Sequence, residues 1–387
     1  MHIEYSDEQM MLRDSADKYL RDNYDFDRRQ AVVRAGDGFS GEQWQTFAEL
    51  GWLAMSFDEE FGGFGAGAVE TMLLNEAFGR HLVLEPWLET VALAGGLLQA
   101  GGTDALRQRY LPGIAEGTVQ GAFAHAEAGR LAGLANVETR ATASGDGGYV
   151  ISGRKVVVLN GPAADVILVT ARTAGEPGDA EGLSLFAIAA DAAGLGRRDY
   201  ATYDGRHASD LTLDAVRLPA EALVGAEGGA LPLIEKVLDH ALLALCAEAV
   251  GAMEALLAAT VDYTRQRKQF GQPIARFQVL RHRMADMYIH AELTRSLLMA
   301  TAWKLDEGAD DAPAMVAALK ANVGKAGRYI GQNAIQLHGG IATTDELSVG
   351  HYFKRLTAID TLFGARDYHL ARYYRLTGAS PAPHQQP

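Results

Sequence analysis

The sequence predicts a mainly α-helical protein with a β-domain in its middle, and three observations carry that prediction. Residues 1 to about 118 fall into helical patterns separated by Gly-rich turns. Near residue 121 the pattern changes to short β-branched runs divided by Gly, Pro or Asp. Past Pro219 and Gly225 it returns to helix, where Phe277, Leu280, Met284, Met287 and Ala291 recur at helical spacing as a stripe facing other helices. The expected domains are 1–120 (helical), 121–230 (a middle β-sheet or β-barrel) and 231–378 (helical). Residues 379–387, which are small, Pro-rich and polar, are expected to be a disordered tail.

Taken in order, Ser6-Asp7-Glu8-Gln9 marks a helix start, with Ser6 as N-cap and Gln9 reaching back to close a capping box. Ser40-Gly41-Glu42-Gln43 repeats the signal before the apolar side made by Trp44, Phe47, Leu50 and Trp52. Gly-rich residues 57–65 then break the helix, and another begins near Ala68. In the middle region Asp146-Gly147-Gly148 is a turn. It precedes strand-like runs at 149–152, 155–159, 166–169, 184–189 and 211–213, as in an antiparallel sheet or barrel.

Composition narrows the function. The chain has 387 residues, 48% of them apolar, enough for a substantial core. A formal net charge of −14 argues against nucleic acid, which requires a basic footprint. The lone Cys246 excludes an internal disulfide and a Cys-based metal cluster, and its apolar helical setting predicts a buried, inert thiol. Met1-His2-Ile3-Glu4-Tyr5 lacks the basic and apolar regions of a signal peptide, and no uninterrupted apolar run reaches membrane-spanning length. A soluble, cytoplasmic protein is expected.

Two short motifs carry the chemistry. Arg267-Lys268-Gln269-Phe270-Gly271 and Gln336-Leu337-His338-Gly339-Gly340 each fall at the C-terminal end of a long helical pattern. Cationic donors there suit a pyrophosphate, and a Gly-Gly pair lets backbone approach a ligand closely. Either alone is an ordinary helix terminator. Together they read as two halves of a dinucleotide cradle.

With these residues in place the chain resembles the acyl-CoA dehydrogenases over nearly its full length. Besides the two motifs, the resemblance rests on Leu50-Gly51-Trp52 with Glu60-Phe61-Gly62-Gly63, on Gly153-Arg154-Lys155 with Asn160-Gly161, and on Val224-Gly225-Ala226-Glu227-Gly228. It implies N-terminal helices, a middle β-domain, a C-terminal four-helix bundle and FAD at a dimer interface. Arg267, Phe270, Gln336, Gly339 and Gly340 would then hold the ADP end of an FAD donated across that interface. The implied reaction is α,β-dehydrogenation of an acyl-CoA: a carboxylate removes the α-proton, the flavin takes the β-hydride, and an electron-transfer flavoprotein receives the electrons.

The ring-holding half departs from the family. Family members carry Thr-Glu-Pro, then Ala-Gly-Ser, where this chain has Ala126-Glu127-Ala128-Gly129-Arg130-Leu131-Ala132. In the next segment Val157 replaces an aromatic residue and Leu159 replaces a hydroxyl. Aliphatic side chains cannot donate to an isoalloxazine, which leaves backbone N–H groups as the other means of holding it. The usual catalytic Glu aligns with Phe363, and its alternative location falls near Ala241. Two acids lie nearby as candidate bases. Asp360 would serve if its loop winds differently and otherwise caps a loop or helix; Glu248 would serve if buried with a raised pKa and otherwise satisfies a neighbouring Arg.

An intact tail half beside an altered ring half resembles the small subunit of a heteromeric member, such as the pimeloyl-CoA type. The partners implied are an acyl-CoA, an electron-transfer flavoprotein, and either a related dehydrogenase subunit or a second copy of the chain. A cofactor-supporting subunit without chemistry of its own is the alternative, and a flavin oxidase or monooxygenase on the same fold is a third.

Overall fold

The computed structural model describes residues 4–129, 133–145 and 147–378. Arg130, Leu131, Ala132, Asp146 and the expected tail lie outside the described residues. The helices of the N-terminal part are α1 (Asp7–Asn23), α2 (Phe26–Ala35), α3 (Gly41–Glu49), α4 (Ala68–His81), α5 (Gly96–Gly101) and α6 (Asp104–Ala115), with a π-helical turn at Leu88–Gly95 before α5. The strands that follow are β1 (Gly121–Ala124), β2 (Arg140–Ala143), β3 (Tyr149–Leu159), β4 (Val166–Arg172), β5 (Leu183–Ala189), β6 (Leu195–Ala201), β7 (His207–Leu218) and β8 (Leu223–Val224). Then come α7 (Ala230–Gln266), a hairpin of β9 (Lys268–Gln269) and β10 (Gln272–Pro273), α8 (Gln278–Asp306), α9 (Ala312–His338), α10 (Ser348–Thr361) and α11 (Arg366–Thr377).

The chain divides into two compact units. One takes the described parts of Met1–Phe26, Ala68–Val83 and Leu242–Pro387; the other takes Asp27–Gly67 and Leu84–Ala241. The N-terminal helices are therefore shared, with α1 and α4 joining the C-terminal helices while α3, α5 and α6 go with the sheet.

In the sheet-containing unit the described strands form one eight-stranded sheet, ordered β6-β7-β3-β2-β4-β5-β8 with β1 also paired to β4. It is mixed rather than antiparallel throughout, because β1 and β2 both run parallel to β4. The chain leaves β1, makes the β2–β3 hairpin, and re-enters beside β1 from the same end. The two runs expected at 149–152 and 155–159 are one strand, β3, bent where its register against β7 shifts around Gly153 and again between Lys155 and Val158. Ile151, Val158, Ile167, Val169, Phe186, Ile188, Leu211 and Val216 are buried in its core. All seven residues of β4 are buried, as expected of a central strand.

In the helical unit, α1 begins with the expected capping box, Ser6 Oγ accepting from the Gln9 N–H and Gln9 Oε1 from the Ser6 N–H. In the sheet-containing unit Ser40 caps α3 through the Gln43 N–H, but its own N–H goes to Glu85 instead of closing a box. Helices α4 and α7 touch through reciprocal glycines. A Cβ on Gly79 would stand 1.9 Å from the Glu248 carbonyl oxygen, and one on Gly251 1.9 Å from that of Glu76. That contact fixes where Glu76 and Glu248 sit. The stripe expected on α8 packs inward, with Met287 and Ala291 buried and Thr294 and Leu298 continuing it. Its opposite side carries exposed Val279, Ile289 and Leu293. By length and composition α7 could cross a membrane, yet 78% of its most apolar window is buried in the protein, which marks a core helix.

Candidate functional site

Tyr263, which lies outside both motifs, and His338, which lies inside the second, bring the halves of the cradle together. Tyr263, one turn before Arg267, stacks on His338 with ring centroids 4.3 Å apart, and its hydroxyl donates to the His338 carbonyl at 3.2 Å. The imidazole Nδ1–H donates to the Ala334 carbonyl one turn back, at 2.9 Å, and burial lowers the pKa of the ring. The ends of α7 and α9 are thus locked side by side. Beyond α7 the chain turns through Phe270 and Gly271, whose φ values of 53° and 78° suit a two-residue hairpin of the type that needs positive φ at both positions.

This end of the bundle is open. Phe270 is 90% exposed, and Arg267 and Gln336 are exposed with no side-chain hydrogen bond or ion pair among the described residues. A Cβ on Gly339 or Gly340 would meet nothing within 4 Å. Guanidinium and amide donors that are free among the described residues, beside bare backbone, fit a diphosphate.

The candidate bases are not free. Glu248, on α7, is buried and forms a two-pronged ion pair with Arg355 of α10, at 2.7 Å in both prongs. That arrangement engages both carboxylate oxygens with Arg355, which opposes a role as base. Asp360 is not in a loop but in the last turn of α10, buried against α9. Its Oδ2 accepts from Arg328 at 2.6 Å, while Oδ1 has no hydrogen-bond partner among the described residues.

The segment after Asp360 is fastened from below. Lys320, fully buried on α9, donates to the carbonyls of Asp360 (3.1 Å) and Gly364 (2.9 Å), and burial lowers its pKa. His369 Nε2–H donates to the Phe363 carbonyl at 3.1 Å, and burial pushes that imidazole down to about 3, so it stays neutral. Phe363, aligned with the family's base, is held at a φ of 55°. Cys246 is buried, and burial pushes its thiol up to about 12. It is not a nucleophile.

Four backbone donors between Val156 and Gly161 have partners within the protein. The N–H of Val156 goes to the Ala126 carbonyl (2.9 Å), that of Asn160 to His207 (3.1 Å) and that of Gly161 to Val158 (3.1 Å). Val157 N–H goes to Asp210 Oδ1 at 3.2 Å. These four donors are already engaged. Val157, a β-branched residue at a φ of 52°, is 48% exposed at the bend of β3. Asp210 braces it while also accepting from Tyr200 and Arg198.

Comparison with known proteins agrees with this arrangement. Family models for the acyl-CoA dehydrogenase N-terminal, middle and C-terminal domains match residues 6–118, 122–216 and 229–375. The short-chain-specific acyl-CoA dehydrogenase of Megasphaera elsdenii is 30% identical over 79% of this chain and 81% of that protein. An L-prolyl-[peptidyl-carrier protein] dehydrogenase of Pseudomonas fluorescens is 30% identical over 78% of this chain and 81% of its own length. Among solved structures, the ChsE4-ChsE5 complex from Mycobacterium tuberculosis superposes with a TM-score of 0.88 at 27% identity, covering 99% of this chain and 100% of the matched one. On domain order, sequence and fold alike, the chain belongs to the acyl-CoA dehydrogenase family.

Proposed function

We propose that this protein is a flavoprotein oxidoreductase that takes part in FAD-dependent α,β-dehydrogenation of an acyl-CoA, as one subunit of a heteromeric dehydrogenase acting in the cytoplasm. The observation that carries the reading is the open bundle end, where Arg267, Phe270, Gln336, Gly339 and Gly340 stand solvent-facing around the Tyr263–His338 lock. Arg267 would bind the diphosphate, the bare Gly339-Gly340 backbone would admit the ADP moiety, and Phe270 would pack against it or against the subunit that carries it. The cofactor, when bound, supplies the hydride acceptor. Exposed Val279, Ile289 and Leu293 on α8 offer an apolar face for a second subunit, either a related chain or another copy.

Asp360 is the better placed of the two acids, because among the described residues one of its oxygens has no hydrogen-bond partner while both oxygens of Glu248 are engaged. Electrons would leave to an electron-transfer flavoprotein. A second reading, a subunit that supports a neighbour's cofactor without chemistry of its own, is favoured by the Glu248–Arg355 pair and by Phe363 at the family's base position. The test offers acyl-CoA thioesters of several chain types to the purified chain, alone and assembled with a second dehydrogenase chain. Bleaching of flavin absorbance by the assembled protein is expected. Its absence with every thioester would contradict the reading.

A further inference from the structure

A buried charged hub lies under the segment that leaves β1, and neither the cradle nor the candidate bases use it. Glu127 gathers four donors. Its Oε1 accepts from Lys155 Nζ (2.8 Å), Thr139 Oγ1 (2.7 Å) and the Thr139 N–H (3.0 Å), and its Oε2 accepts from the Glu138 N–H (2.7 Å). Lys155 is wholly buried and spends its other two protons on the His125 carbonyl (3.2 Å) and Thr170 Oγ1 (3.0 Å). Thr170 Oγ1 also lies 3.2 Å from His125 Nδ1. The imidazole is neutral, because burial and the Lys155 charge push it down to about 3.

The outcome is a segment tied at several points before any ligand arrives. Residue 125 is held from β3 and β4, residue 126 by the Val156 N–H, and residue 127 by the hub. The hydroxyls that the family uses against the ring are missing at Ala126 and Leu159, within this same neighbourhood. We infer that Glu127 and Lys155 are positioning residues whose ion pair pre-shapes the 125–129 segment to receive the flavin ring. The inference rests on the reading that this chain holds FAD.

Burial pushes the Lys155 ammonium down to about 8, opposed by the Glu127 carboxylate. The other charged or titratable groups facing the pair are His125 at the end of β1 and Arg172 on β4. Arg154, Arg198 and Asp210 line the open groove on the outer side of the same strands. Loss of the Lys155 proton loosens Glu127, so ring binding should change as pH passes about 8.

The experiment titrates FAD and, separately, ADP into the assembled protein as wild type, Lys155→Met and Thr170→Val, following the visible flavin spectrum across the pH range around 8. The expected result is roughly tenfold weaker FAD binding in Lys155→Met. ADP binding should be unchanged and the pH-dependent spectral step lost. Thr170→Val, a near-isosteric change, keeps the ion pair but removes an acceptor of the ammonium, so the step should move to lower pH. That shift tests the inference even where Lys155→Met does not fold. Wild-type FAD affinity and spectrum in both variants would overturn it while leaving the FAD reading standing. A wild-type assembly that takes up ADP but never perturbs a flavin spectrum would overturn both.

Discussion

Glu248 and Arg355 meet inside the helical unit as a buried, two-pronged ion pair, Nε to Oε1 and Nη2 to Oε2, both at 2.7 Å. Two charges removed from water together stabilise little, but removing one strands the other. Glu248→Ala should therefore cost about 3–5 kcal/mol, read by denaturant unfolding. Were Glu248 the base, the same substitution would abolish turnover in a protein that still melted like the wild type.

A second buried acid makes stability depend on pH. Among the described residues neither oxygen of Glu76, on α4, has a hydrogen-bond partner, and Arg295 stands 3.9 Å away. Burial, with the Glu254 charge and a lesser push from Asp17, raises its pKa from 4.5 to about 7, against the pull of Arg295 and Arg80. The folded protein thus keeps a proton that the unfolded chain releases. The stabilisation is fully present below pH 4.5 and is lost as pH rises through about 7, a change on the order of 3 kcal/mol. Glu76→Gln should flatten the fall in Tm over that interval. An equally steep fall in the variant would mean that other groups set it.

Leu159→Thr should tighten FAD binding by roughly tenfold and shift the flavin absorption, because it offers a donor where the Val156, Val157, Asn160 and Gly161 N–H groups are engaged. Comparison of apo-protein titrations with FAD checks it. No change would mean that this chain holds no ring of its own.

What could be read from the sequence was local. The Ser6–Gln9 capping box, the restart at Ala68 and the inward stripe of α8 depend on residues a few positions apart, where helical spacing decides which side chains meet. Both cradle motifs were visible as well, but not the Tyr263–His338 lock that joins them, because its partners lie 75 residues apart. The Arg reserved for Glu248 is 107 positions away on another helix. The family resemblance puts Asp360 in a loop, whereas α10 runs on to Thr361. Parallel pairing of β1 with β4 is likewise set by the path of the chain and leaves no trace in the alternation of either strand.

The most direct test of the cradle is FAD retention by the Arg267→Ala variant of the assembled protein. Arg267 is exposed and its side chain has no partner among the described residues, so the melting temperature of the apo-protein should not move. Loss of a charge-assisted contact of roughly 1.5–3 kcal/mol should weaken FAD binding about tenfold to a hundredfold. FAD retained as tightly as in the wild type would contradict the assignment.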